Sequence, residues 1–226
     1  MTDTFQRARS EEQRAVRRRA ILDTAAAMLG EMPVAQVSLN ELSRRVGLAK
    51  SNVLRYFESR EAVLLELLAS ASQELLEHLD TALPEAVDAD APVAGRADQV
   101  AATMADALAG RPVLCDLISA QAAVLERNVS TQVATEYKRA SIAHVFALAA
   151  RVRVHVPELD EPDSVRFVAG ALLMATAAWP HAHPSAAVLA VYESDPELAV
   201  LRMDFTTVLR ESLEVLLSGL LARASR

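Results

Sequence analysis

Residues 38–57 read SLNELSRRVGLAKSNVLRYF, and this stretch decides the fold. Ser38 stands three residues before Glu41, with Leu39 and Leu42 as the first apolar positions. That pattern is a capping box: the serine oxygen takes the amide of the third helical residue, and the glutamate reaches back. The spacing predicts a helix as far as Val46, closed by Gly47, the residue type best able to take the left-handed C-terminal conformation. A second short helix is expected over Lys50–Phe57, with Val53 and Phe57 packed inward and Ser51, Asn52 and Arg55 projecting polar atoms outward. Two short helices joined by a glycine turn form a helix-turn-helix, whose second helix enters the major groove of DNA.

Upstream, Arg14 to Leu29 places Val16, Ile21, Leu22, Ala25, Met28 and Leu29 at the helical spacing of one buried face. Arg14, Arg17 and Arg18 lie on the opposite face, and Gly30 and Pro33 end the helix. Downstream, Ser59 with Ala62 and Val63 starts a third, longer helix. Its first turn holds Arg60 and Glu61, and its N-terminal amides suit a phosphate.

Taken in order, residues 21–26 (ILDTAA), 38–48 (SLNELSRRVGL), 50–57 (KSNVLRYF) and 59–64 (SREAVL) resemble the DNA-binding domain of TetR-family transcriptional regulators. The resemblance covers about residues 14–66. It implies that Ser38 caps its helix and touches a phosphate, that Lys50 contacts the DNA backbone, and that the Tyr56 hydroxyl reaches a phosphate. Arg60 replaces the family's usual lysine, and Arg18 is placed to touch the backbone from the first helix. Asn52, Leu54 and Arg55 stand where threonine, tyrosine and histidine are common. Asn pairs bidentately with adenine and Arg with guanine, each worth ~1–3 kcal/mol of discrimination. The expected DNA-contacting set is therefore Arg18, Ser38, Lys50, Ser51, Asn52, Arg55, Tyr56 and Arg60.

The 226 residues are 52% hydrophobic and 23% charged, enough for one large domain or a small one joined to a larger one. The net charge of −7 is unevenly placed. Residues 1–60 hold eleven Lys/Arg against seven Asp/Glu, a net of +4, which leaves −11 for the remainder. A basic end beside an acidic body reads as the part that meets a polyanion, or as a solvated basic face. Aromatics at 4% and abundant Ala, Leu, Arg and Glu favour helix over sheet. Cys115 is the single cysteine, which excludes an internal disulfide and a CxxC metal site; among Val113, Leu114, Leu117 and Ile118 it reads as a buried structural thiol. The charge-free run Phe167–Tyr192 is interrupted by Pro180, His181, His183 and Pro184 after thirteen residues, the length of a core helix. The first twenty residues lack an apolar h-region, so a cytoplasmic location is expected.

Glu61 to about Ala82 predicts a long amphipathic helix with Leu64, Leu65, Leu68, Leu75, Leu76 and Leu79 on its apolar side, followed by an acidic loop over 84–95. Further helices are expected over Ala97–Ala109, Pro112–Glu126 and Ser130 or Thr131 to His155. Asp163–Trp179, nearly free of charge after Arg166, reads as buried all round. Leu201, Phe205, Val208, Leu209, Ser212, Leu213, Leu216 and Leu220 stripe a last helix.

The resemblance implies a homodimer through helices at about 163–180 and 200–223, which calls for a near-palindromic operator. It also implies a small-molecule pocket, for which Met104, Leu108, Gln121, Tyr137, His144, Met174 and Trp179 are candidates. No GxSxG, HExxH, P-loop or helix-opening GxGxxG occurs, so no enzyme and no cofactor are expected. His181 and His183 have no nearby third ligand for a metal. The expected architecture is all-α: a helix-turn-helix domain over 1–60, with a basic arm at about 1–13, then an effector-binding and dimerisation domain over 61–226. The expected function is a repressor released from its operator by a small molecule. An activator or a ligand-independent regulator of the same fold stays open, as do a helical protein-interaction adaptor and, least supported, a small helical enzyme.

Overall fold

The computed structural model describes the backbone of residues 2–224 and the side chains of residues 11–224. The basic arm, about 1–13, therefore lies largely outside the described side chains. Every regular element among the described residues is helical: α1 Thr2–Leu29, a 3-10 turn Val34–Gln36, α2 Leu39–Val46, α3 Lys50–Val53, α4 Arg60–Ala86, α5 Val93–Ala109, α6 Pro112–Ala120, a π-helical turn Gln121–Leu125, α7 Thr131–His155, α8 Glu161–Ala182, α9 Ala186–Ser194, α10 Pro196–Ala199 and α11 Phe205–Ala224. The chain folds as two compact units, Met1–Ser70 with Ala120–Lys138 and Ala71–Ser119 with Arg139–Arg226. No single described helix is long and apolar enough to cross a membrane.

In the first unit, Ile21, Ala25, Met28, Val37, Leu42, Val53, Val63 and Leu64 are fully buried and form one core with Phe57, Leu65 and Leu68. Most of the periodicity of α1 is honoured, but Val16 is 63% exposed. Helix α1 extends well beyond Arg14 toward the N-terminus, and residues 11–17 are all exposed. Ser38 Oγ accepts the Glu41 amide at 3.2 Å as expected. The reciprocal half of the capping box is absent among the described residues, because the Glu41 carboxylate is taken by Arg44 and Arg45. Ser59 Oγ accepts the Ala62 amide at 3.1 Å and opens α4.

In the second unit the acidic loop is shorter than expected, spanning 87–92. Helix α4 continues through Pro84, which sits in its last turn, and α5 starts at Val93 behind Pro92, whose fixed φ suits that position. The Asp88 carboxylate accepts the Asp90 amide at 3.0 Å, and Gln99 Oε1 accepts the Asp88 amide at 3.0 Å, so the loop's donors are satisfied locally.

Pro180 likewise fails to end α8, which runs to Ala182. A proline removes the amide that would bond the carbonyl four residues back. That carbonyl belongs to Thr176; the Ser119 hydroxyl lies 3.2 Å from it and 2.7 Å from Cys115 O, so the two carbonyls share its one proton.

Helix α8 buries only one side, through Phe167, Val168, Ala171, Ala175, Ala178 and Trp179. Leu173 is 70% exposed, which corrects the expectation of burial all round. Helix α11 buries Phe205, Leu209, Leu213, Leu217 and Leu220 at i, i+4 and i, i+3 spacing and leaves Val215 73% exposed; Leu201 lies outside the helix and is exposed. The two helices approach closely at Gly170, where a Cβ would meet Leu216 Cδ2 at 2.7 Å. Two short helices escaped the sequence reading. Ser185 precedes α9, and Asp195 caps α10 by accepting the Glu197 amide at 2.9 Å. Neither α9 nor α10 buries a residue.

Gly47 carries the only positive φ among the described residues, at 70° with ψ 30°. No atom lies within 4 Å of the Cβ an alanine would add, so the cost of a substitution there is purely one of backbone strain. Gly47→Ala is expected to lower stability by about 1–2 kcal/mol, read as a lower urea midpoint for loss of helical circular dichroism.

Candidate nucleic-acid interface

The reversal between α2 and α3 is fixed by hydrogen bonds at the end of α2. The Gly47 amide donates to Arg44 O at 3.3 Å and the Leu48 amide to Ser43 O at 3.0 Å, satisfying carbonyls the helix leaves unpaired. After this turn α3 is one turn long, shorter than the Lys50–Phe57 helix expected, and Leu54–Tyr56 continue it as hydrogen-bonded turns. The Tyr56 amide donates to Val53 O at 2.9 Å and the Phe57 amide to the same oxygen at 3.1 Å. The in/out pattern survives the shortening: Val53 and Phe57 are buried, while Lys50, Ser51, Asn52, Leu54 and Arg55 are exposed.

Beside this segment lies an open groove of about 810 Å³ between α1 and the end of the recognition turn. Glu12, Gln13, Arg14, Val16, Arg17 and Ala20 line it from α1, and Arg55 and Tyr56 from the other side. Among the described residues Arg14, Arg17, Lys50 and Arg55 take part in no ion pair. Four uncompensated cations on one unit give the surface a positive field suited to a polyanion. Neighbouring arginines are neutralised locally: Arg19 pairs with Asp23 at 2.8 Å, Arg44 with Glu41 at 2.6 Å, and Arg45 with Glu31 at 2.6 Å.

Two of the expected contact residues are engaged elsewhere. Arg18 turns inward: Nη1 donates to Tyr56 O at 2.6 Å, Nη2 pairs with Glu66 of α4, and the guanidinium carbon sits 4.3 Å from the centre of the Phe57 ring. Arg60 Nη1 donates to Val37 O at 3.0 Å, while its Nε, 3.1 Å from Glu61 Oε1, is buried without hydrogen-bond geometry. Ser38 is exposed, with its oxygen on the Glu41 amide, and Tyr56 is half-buried along the groove. Glu66 escaped the sequence reading, although a lone carboxylate in the run Ala62–Leu68 was a signal that it has a partner. Residues 120–138 are a second omission. They join the first unit, where Glu58 Oε1 accepts the Ser130 amide at 2.6 Å. That segment is closed on itself by Glu126, which accepts from Gln121 at 2.7 Å and from Lys138 at 2.6 Å.

The effector candidates divide between the units. Gln121 and Tyr137 belong to the first; Met104, Leu108, His144, Met174 and Trp179 belong to the second. Met104 and Leu108 are core residues of α5, and Met174 and His144 are half-buried, with burial pushing the His144 pKa down. Trp179 lines an open cavity of about 470 Å³ with Ala109, Ala182, His183, Arg202, Met203 and Phe205. Its indole donates to Asp116 Oδ1 at 2.7 Å, and its ring lies 3.8 Å from that of His183 and 4.9 Å from that of Phe205. Cys115 is buried as expected and donates to Leu108 O at 3.3 Å. Burial, assisted by the charge of Asp116, pushes its thiol up to about 12.

Comparison with known proteins divides the chain near residue 68 and places residues 120–138 with the C-terminal part. Residues 21–67 match the family described as bacterial regulatory proteins, tetR family, and residues 69–224 match the tetracyclin repressor-like C-terminal domain. A fold match covers 92% of this chain and 100% of a possible TetR family transcriptional regulator from Streptomyces coelicolor A3(2), at 16% identity and a TM-score of 0.61. The fatty acid degradation regulator FadR from Bacillus halodurans matches over 89% of this chain and 98% of its own, at 16% identity and a TM-score of 0.56. FadR from Bacillus subtilis, solved in complex with stearoyl-CoA, matches over 88% and 97% at 16% identity and a TM-score of 0.56. At such identities the likeness is one of fold. No curated protein sequence matches the chain significantly.

Hydrogen bonds from Arg44 and then Arg45 hold the Glu41 carboxyl down from 4.5 to about 2. A depressed carboxylate contributes stability in full above its unfolded value and loses it as pH falls to the folded one. Glu41→Gln is therefore expected to make the fall in thermal midpoint shallower between pH 4.5 and about 2, leaving the slope above pH 5 unchanged. The difference is expected to shrink in high salt, which screens exposed pairs.

Proposed function

The chain belongs to the tetR family of bacterial regulatory proteins, so it is a DNA-binding transcription regulator rather than an enzyme, and from that premise we propose a cytoplasmic repressor released from a palindromic operator by a small molecule. The observation that carries the DNA-reading part is the exposed row Lys50, Ser51, Asn52 and Arg55, set over a buried Val53 and Phe57 and flanked by uncompensated Arg14 and Arg17. In this reading Arg55 and Asn52 read bases, and Ser38, Lys50, Ser51, Tyr56 and Arg60 meet the backbone, Arg60 after leaving Val37 O. The DNA-binding domain is residues 1–60 and the effector-binding and dimerisation domain 61–226.

A homodimer through about 163–180 and 200–223 gives the exposed Leu173 of α8 and Val215 of α11 an apolar partner. Two recognition segments about one DNA turn apart (~34 Å) then require a near-palindromic site. The effector acts only as far as it binds the DNA-competent and released states with different affinity. Met104, Leu108, Gln121, Tyr137, His144, Met174 and Trp179 remain the candidates for its pocket. Stearoyl-CoA is the first effector probe, because a Bacillus subtilis protein of similar fold holds it.

The test is selection of duplexes from a random library, followed by affinity of the enriched site against salt. A palindrome whose log affinity falls steeply with log salt is expected. Lys50→Ala is expected to weaken binding to all sequences alike. Arg55→Ala is expected to cost ~1–3 kcal/mol and to relax preference at one base pair in each half-site. An unrelaxed preference in Arg55→Ala means that another residue reads the groove; no enrichment at all by the wild type removes the reading in favour of a protein-interaction adaptor.

A further inference from the structure

Resting on the DNA-binding reading, we infer that Arg18 is a positioning residue and not a phosphate ligand, that Glu66 is its working partner, and that Arg14 and Arg17 supply the phosphate contacts of α1. The guanidinium has three partners drawn from two parts of the chain, the end of the recognition turn and α4. Nη1 donates to Tyr56 O at 2.6 Å, Nη2 pairs with Glu66, and the planar group covers the Phe57 ring at 4.3 Å. Tyr56 O is a carbonyl at the end of the recognition turn, where the helical ladder supplies no donor. Arg18 supplies that donor and carries the positive charge favoured at a helix C-terminus. Its side chain is 33% exposed, and the fork that binds the carbonyl and the carboxylate together is what a lysine lacks.

The α1 helix thus separates two tasks. Arg18 faces the recognition turn and α4. One residue earlier and one turn earlier, Arg17 and Arg14 face the open groove beside Arg55 and Tyr56, exposed and outside any ion pair among the described residues. Glu12 also lines that groove, but the three arginines Arg14, Arg17 and Arg55 outnumber it, and a phosphate there meets Arg14 and Arg17 without breaking an ion pair among the described residues. Reaching it with Arg18 would strand Glu66 and the Tyr56 carbonyl. The tilt of the base-reading segment consequently depends on where α4 holds Glu66.

Glu66→Gln separates the two roles by the sign of its effect, because it keeps the side chain's shape and one acceptor oxygen. If Arg18 were a phosphate ligand, removing its carboxylate would free it: affinity for the enriched duplex would rise and the salt slope would steepen. The positioning role gives the opposite result. Affinity is expected to fall roughly tenfold, although the variant is more positive by one charge. Base preference beside Arg55 is expected to flatten, and the salt slope to stay unchanged. A merely structural role would lower the active fraction without moving base preference, so selection from random duplexes is run on folded protein matched by circular dichroism. Arg17→Ala is the companion variant, expected to reduce the salt slope by about one, while Arg18→Lys is expected to behave like Glu66→Gln. Tighter binding with a steeper slope in Glu66→Gln, or unchanged affinity and preference, overturns the inference. A wild type that enriches no duplex overturns the DNA-binding reading itself, which is a distinguishable outcome.

Discussion

A single backbone reversal organises the first unit. Helices α2 and α3 turn on Gly47, the residue whose φ of 70° an L side chain takes only with strain. That one angle sends the chain from a capped helix into a segment whose Val53 and Phe57 reach the core formed by α1 and α4. The exposed row Lys50–Arg55 is a by-product of this burial: with two apolar residues four apart fixed inward, the residues around them face solvent. The interface is thus as rigid as the core beneath it, and its chemistry can vary without disturbing the fold.

The prolines show a related economy of donors. Pro180 lies inside α8, and the carbonyl it leaves unpaired shares the Ser119 hydroxyl of another helix with Cys115 O. Two contacts join α6 to α8 here, Ser119 with Thr176 and the Trp179–Asp116 hydrogen bond.

Local chemistry was legible in the sequence and long-range chemistry was not. The Ser38 cap, the Gly47 stop, and the inward Val53 and Phe57 each depend on neighbours within four residues, so spacing reveals them. The engagement of Arg18 with Tyr56 and Glu66 spans 38 and 48 positions, and nothing near Arg18 distinguishes it from Arg17. Pro180 misled for the same reason, since the Ser119 hydroxyl beside its unpaired carbonyl lies 57 positions away in sequence. Val16 carries the apolar period of α1 into a part of the helix that is exposed. Periodicity marks which side of a helix is apolar; it does not reveal what covers that side, as Leu173 shows on α8.

The buried Cys115 has a practical consequence. Its thiol is sealed from solvent, and burial lifts its ionisation to about 12, so almost none is present as the reactive thiolate at neutral pH. With no other cysteine in the chain, the native protein already serves as a silent background for site-specific chemistry. A new cysteine on an exposed position, such as 52 beside the recognition turn or 201 ahead of α11, can carry a spin label or fluorophore alone. Distances between two such probes then become measurable in solution without first removing a native thiol and leaving a cavity in the core.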